Sequence, residues 1–137
     1  MNIEIKKIEK EKAWKIRHQV MWPDRPFDYI KVTDDHLALH YGLFKAQALI
    51  SVISLFITDE EAQFRKFATV DLEQGKGFGS SLLEFTLEQA KHQGVKRIWC
   101  NARTNKLSFY KKFGFKETDS HFTRGGKQYI IMERYLY

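Results

Sequence analysis

Between His36 and Val70 the chain reads as three strands joined by pairs of turn residues, and this run limits the fold more than any other part of the sequence. His36 to Lys45, Ala48 to Thr58 and Ala62 to Val70 are the strand-like segments, and Ala46-Gln47 and Asp59-Glu60 supply the turns. Connections that short join only antiparallel neighbours, so the three strands form a meander. The period then changes. From Gly77 to Gln93 the residues Leu82, Leu83, Thr86, Leu87 and Ala90 recur at helical spacing, and Gly94 follows as a stop signal.

Shorter elements flank this centre. Ile3-Glu4-Ile5 alternates as a strand, and Glu9 to Val20 reads as a helix with Trp14, Ile16 and Val20 as its apolar positions. Met21 to Phe27 holds both prolines and must be a loop, since each proline removes a donor and restricts its predecessor. A short helix fits around Phe27 to Lys31. Arg97 to Asn101 reads as a buried strand, and Asn105 to Phe113 as a short helix closed by Gly114. Phe115 to Ser120 and Gln128 to Tyr135 read as two last strands around Gly125-Gly126. The order β-α-(α)-β-β-β-α-β-α-β-β predicts an α/β (α+β) fold, a central mixed and mostly antiparallel sheet of about seven strands with helices on both faces. With no repeat or linker, residues 1–137 are expected to be one domain.

Between the third strand and the long helix stands Gln74-Gly75-Lys76-Gly77-Phe78-Gly79. Glycines there turn the backbone tightly and present several N–H groups at the helix start, where the helix dipole adds positive charge. That arrangement suits a pyrophosphate, and Ser80 and Ser81 offer hydroxyl donors beside it. The loop lacks the Gly-x-x-x-x-Gly-Lys-Ser/Thr spacing of a Walker site. It also fails the last position of a dinucleotide fingerprint, and an antiparallel meander precedes it. The formal net charge of +6 likewise points to an anionic partner.

Gln-x-x-Gly-x-Gly between a strand and a long helix resembles the acetyl-coenzyme A motif of the GNAT superfamily of N-acetyltransferases. A second segment, Asn105-Lys106-Leu107-Ser108-Phe109-Tyr110-Lys111-Lys112-Phe113-Gly114-Phe115, resembles that family's Asn-x-x-Ala-x-x-Phe/Tyr-Tyr-x-x-x-Gly-Phe stretch. The order of elements matches as well, from Ile3 to the C-terminus. The resemblance implies a GNAT-like fold and acetyl-CoA as cofactor. It implies that the backbone of Phe67, Ala68, Thr69 and Val70 pairs with the pantetheine amides. Gln74, Gly75, Lys76, Gly77, Phe78, Gly79 and Ser80 would hold the pyrophosphate, Asn105 the pantetheine arm from the other side, and Tyr110 would lie beside the sulfur.

Transfer of an acetyl group to an amine requires an oriented thioester, a neutral amine, support for the oxyanion and a proton for the departing thiolate. A backbone N–H near Val70 is expected to polarise the carbonyl. Tyr110 is the candidate general acid, because a phenol of pKa about 10 keeps its proton at neutral pH. His36, His40, Glu61, Asp71 and His121 are all chemically able to act as base, and a water chain could replace them. Arg65 and Arg103 suit an acceptor carboxylate through the guanidinium fork. Trp22, Arg25 and Phe27 fall where this family commonly shapes the acceptor pocket.

The acceptor itself, a small-molecule amine or a protein amino group, is not written in these motifs. A non-catalytic acyl-coenzyme A sensing module on the same fold is the alternative, and Tyr110 favours the enzyme. A homodimer is common in the family. No nucleic-acid motif accompanies Lys6-Lys7, Lys10 and Lys12. The longest apolar stretch, Leu49 to Ile57, is far short of the roughly 20 residues that span a bilayer, so no membrane role is expected. Among the five histidines only His36 and His40 are four apart, and on one strand that gap is too long to chelate a single ion, so no metal is expected. A lone Cys100 excludes an internal disulfide and fits a reducing cytoplasm.

Overall fold

A computed structural model describes residues 2–136. Met1 and Tyr137, the ends of the expected domain, lie outside the described residues. Among the described residues seven strands form one sheet: β1 (Ile3–Ile8), β2 (Leu39–Lys45), β3 (Ala48–Thr58), β4 (Glu61–Thr69), β5 (Arg97–Arg103), β6 (Lys116–Arg124) and β7 (Lys127–Tyr135). Their order is β1-β2-β3-β4-β5-β7-β6. Every neighbouring pair is antiparallel except β4 and β5, which run parallel. The expected meander is β2-β3-β4. Its first hairpin turns on Ala46 (φ 50) and Gln47 (φ 72), the left-handed pair that a two-residue connection between twisted strands demands.

Among the described residues three α-helices cover the sheet: α1 (Lys10–Met21), α2 (Phe78–His92) and α3 (Leu107–Lys111). Because side chains alternate along a strand, β3 serves both faces. Ile53 and Leu55 point into the larger core with Leu82, Leu83 and Leu87 of α2. Val52 points the other way, against Ala13 and Ile16 of α1. Phe109 and Tyr110 of α3 pack on the α2 side.

Some boundaries differ from the sequence reading. The strand expected from His36 begins at Leu39, because Asp35–Leu37 forms a 3-10 turn. His36 and His40 therefore do not share a strand. The segment Asn105–Phe113 divides into a 3-10 turn, Thr104–Lys106, and the short α3. Strand β5 continues to Arg103, and β6 runs past Ser120 to Arg124.

The α1 side of the sheet carries a buried ionic network. Arg17 is 0% exposed and Asp35 2%. The Arg17 Nη1 and Nη2 atoms donate to the two Asp35 oxygens at 2.7 and 2.9 Å, and further to the Ile30 carbonyl and Ser54 Oγ. Asp35 Oδ2 also accepts from Trp14 Nε1 and from the Val32 N–H. Burial pushes the Asp35 carboxyl upward, yet the Arg17 guanidinium with the Val32 and Trp14 donors outweighs it and holds the group below its ordinary value. Buried charges of this kind are tolerated only when paired and hydrogen-bonded. The network ties α1 to the 3-10 turn and to β3.

Candidate active site

Strands β4 and β5 pair only over Glu61–Gln63 and Arg97–Trp99. Beyond Gln63 the register of β4 against β3 shifts, and Lys66 sits at φ 55. This is a bulge, which bends its strand and ends regular pairing. Where the two strands part, a cleft of about 590 Å³ opens. One wall is Phe64 to Thr69 of β4, and the other is Cys100, Asn101 and Arg103 of β5 with Phe109 and Tyr110 of α3.

Beyond Gln63 the edge of β4 has no strand partner among the described residues. The Val70 N–H donates to the Ile50 carbonyl at 2.9 Å, and the Ala68 carbonyl accepts from Ser51 Oγ. Both residues thus face β3, and by alternation the amides of Phe67 and Thr69 face the cleft. Val70 and Ala68 therefore depart from the sequence reading. Both turn their backbone toward β3, and Val70 lines no part of the cleft, which leaves the amides of Phe67 and Thr69 on the open edge.

The glycine loop closes one end. After a 3-10 turn at Asp71–Glu73, Gly75 (φ 77) and Gly77 (φ 86) adopt left-handed backbone that other residues rarely enter. Gly77 caps α2, with no side-chain cap and no acidic residue in the first turn. The first helical backbone bond is from the Ser81 N–H to the Gly77 carbonyl. Among the described residues, the N–H groups of Phe78, Gly79 and Ser80 are left without a backbone partner, as the first turn of a helix leaves them. Gly79 lies beside Phe67 and Thr69, so the helix start joins the open strand edge.

Several loop side chains serve the loop itself. Gln74 Nε2 donates to the Thr69 carbonyl at 2.9 Å and to Asp71 Oδ1 at 3.3 Å, folding the loop onto β4. Lys76 pairs with Glu73 at 3.0 Å and lies off the cleft wall. Glu73 is also paired with Lys45, and these lysines hold its carboxyl below the ordinary value. Phe78 is buried with Leu43 and Ile50. Ser81 donates its hydroxyl to the Gly77 carbonyl, which removes it from the expected donors, whereas Ser80 lines the cleft.

Tyr110 stands among Phe64, Phe109 and Phe115, with ring centroids 5.8, 5.2 and 6.1 Å away. Its hydroxyl has no hydrogen-bond partner among the described residues, and the side chain lines the cleft. Burial, with the Cys100 sulfur nearby, pushes the phenol above its ordinary value. Cys100 is itself pushed up to about 12 by burial, so its thiol stays protonated.

Other expected site residues lie elsewhere. Asn105 is exposed on its 3-10 turn and lines no part of the cleft, while Asn101 on β5 does. Sequence reading missed Asn101, although alternation along β5 puts it opposite Cys100. Trp22, Arg25 and Phe27 also line no part of the cleft. Trp22 meets Tyr29 edge-on, Arg25 lies over both rings, and Phe27 packs on Trp14 and His18. Val20 and Met21, at the end of α1, take their place.

None of the five base candidates lines the cleft. His36 and His121 are exposed, Glu61 pairs with Arg97, and Asp71 accepts from Gln74. His40 is buried between Ser54 Oγ (2.7 Å) and the Asp35 carbonyl (2.8 Å). A carbonyl only accepts, so His40 Nε2 carries a proton. Burial lowers the tendency of His40 to take a second. Arg65 and Arg103 do line the cleft. Among the described residues no group of three or more His, Cys, Asp or Glu is placed to hold a metal, and no helix is long and apolar enough to cross a membrane.

A gap between splayed parallel strands that runs onto an uncapped helix start defines a protein built to hold a long, peptide-like, phosphate-bearing ligand. The chain matches the Acetyltransferase (GNAT) domain family over residues 6–136, and it belongs to that family. It is an N-acetyltransferase. The N-acetyltransferase YitI of Bacillus subtilis (strain 168), itself uncharacterized, is 30% identical over 144 aligned residues, covering 98% of this chain and 97% of that protein. A [ribosomal protein bS18]-alanine N-acetyltransferase of Haemophilus influenzae is 28% identical, with 97% of each chain covered. A crystal structure of a GNAT family acetyltransferase from Elizabethkingia anophelis with acetyl-CoA bound superposes with a TM-score of 0.78 at 18% identity, covering 98% of this chain and 99% of that one.

Proposed function

We propose that the chain, acting as one cytoplasmic domain, transfers an acetyl group from acetyl-CoA to an amine by direct attack within a ternary complex. The observation that carries this reading is the continuity of the open β4 edge with the bare start of α2. The residues fit the cofactor. Backbone amides at Phe78, Gly79 and Ser80, without partners among the described residues, match an anion of pyrophosphate type. The edge amides of Phe67 and Thr69 match the peptide-like pantetheine arm. Acetyl-CoA, when bound, supplies an activated thioester.

The chain's residues do the rest. The glycine loop anchors the phosphates and so fixes where the acyl group lies between β4 and β5. Holding two reactants in place can lower a barrier by several kcal/mol, roughly 7–11 at best. An edge amide of β4 polarises the carbonyl, and preorganised donors of this kind are worth about 3 kcal/mol each. Tyr110 donates its proton to the departing sulfur, and its apolar surroundings keep that proton in place until then. A thiol-release assay with acetyl-CoA across a panel of amines tests the reading. Turnover that depends on both substrates is expected, and release that ignores the amine would overturn it.

A further inference from the structure

The two faces of the cleft differ in charge. On the α2 and α3 side stand Phe64, Cys100 and Tyr110. On the α1 side stand Arg65, Asn101, Arg103 and Tyr129. Arg65 is registered with Ser54, which Arg17 of α1 contacts, and Arg103 is registered with Tyr129 of β7. Lys66, at the bulge between Arg65 and Phe67, lines the same cleft. The pyrophosphate cradle is built from α2, on the opposite side.

These cations are poorly neutralised. Among the described residues, Lys66 and Arg103 have no ion pair or hydrogen bond to their side chains. Arg65 donates its Nε to the neutral Gln63 Oε1 at 2.7 Å and lies over the Phe56 ring, and its one carboxylate contact among the described residues, Asp34 at 3.8 Å, is loose and exposed. Asp35 is fully engaged by Arg17, Trp14 and Val32. Lys66 is also held in left-handed backbone at the bulge, a conformation that costs roughly 1–2 kcal/mol in a side-chain-bearing residue. Strain of this sort collects where a site is shaped for a ligand. Beside the cations, Phe122 and Tyr129 stack at 5.1 Å and 11°, with Arg124 over the Phe122 ring.

We propose that the acceptor amine carries an anionic group, a carboxylate or a phosphate, and that Arg65, Lys66 and Arg103 hold it on the α1 side of the cleft. This rests on the acetyltransferase reading above. The same cations disfavour a positive charge on the incoming amine, so they help keep it neutral without a carboxylate or histidine base at that wall. Burial and the neighbouring Arg17, Arg65 and Arg124 already lower the Lys66 ammonium below its ordinary value.

The test uses the full chain and matched acceptors: amino acids against their carboxamides, phosphoethanolamine against ethanolamine, and spermidine as a polycation. The two anionic arms separate carboxylate from phosphate. The anionic member of at least one pair is expected to lead its neutral partner by about tenfold or more in kcat/KM. Arg103→Gln and Lys66→Asn, the latter chosen because Asn tolerates left-handed backbone, should cut that lead by raising KM for the acceptor. Acetyl-CoA affinity, measured separately by calorimetry, should stay within about twofold. A panel in which no anionic member leads, or in which spermidine is the best acceptor, overturns the proposal. Loss of acetyl-CoA binding by the unmodified chain would instead overturn the reading beneath it.

Discussion

Replacing Tyr110 with Phe removes one oxygen and leaves the ring. The contacts with Phe64, Phe109 and Phe115 depend on the ring and persist. The hydroxyl gives up no hydrogen bond to a described residue, so folding stability should change by less than about 1 kcal/mol. Catalysis should respond very differently. A positioned general acid is worth about 10²–10⁴ in rate, or roughly 3–5 kcal/mol. The phenol is raised by burial, so the Tyr110 hydroxyl keeps its proton throughout the neutral range. Thiol release followed at saturating acetyl-CoA and acceptor should therefore fall by at least about a hundredfold in kcat, while acetyl-CoA affinity and Tm hold. Unchanged kcat would reduce Tyr110 to a packing residue. A fall in kcat matched by a large fall in Tm would mean that the hydroxyl supports the fold and would equally refute the argument.

Three further outcomes follow from the fold. Asp35→Ala strands the Arg17 charge and should cost about 3–5 kcal/mol, a drop in Tm of roughly 10–17 °C; a loss under about 1 kcal/mol would show that the pair is not structural. His40 has a folded-state pKa lowered by burial, so unfolded chains bind its proton first. Its contribution is complete above about pH 6.5 and is lost as pH falls toward the folded value, so Tm should decline on acidification from about pH 7 to 5.5, and a flat or rising Tm would contradict this. Gln47→Gly relieves left-handed backbone in the first hairpin and should add about 1 kcal/mol in urea denaturation; destabilisation would mean that the Gln47 side chain matters more than its φ.

The elements with strong periodicity were legible in advance. The meander, the α2 stripe from Leu82 to Ala90 and the glycine loop stand where their patterns put them. What escaped was set by tertiary contact. Arg17 looks like a surface residue of a polar helix, and only the fold brings Asp35 and Ser54 to it. The pattern extends the strand to His36, but Asp35 joins that network within a 3-10 turn and the strand starts at Leu39. At the site, motif position pointed to the Val70 amide, but which edge of β4 an amide faces depends on a bulge at Lys66 that no local pattern announces. Trp22, Arg25 and Phe27 have the chemistry of a pocket, and they spend it on one another and on Tyr29, Trp14 and His18.

In the proposed function, the open edge of β4 and the bare start of α2 together hold acetyl-CoA. Calorimetric titration of the full chain with acetyl-CoA, and in parallel with acetyl-pantetheine, which lacks the nucleotide and pyrophosphate, tests it most directly. Saturable binding of one acetyl-CoA per chain is predicted, with acetyl-pantetheine weaker by about tenfold or more because it cannot reach the helix start. No saturable acetyl-CoA binding, or equal affinity for the two, would contradict it.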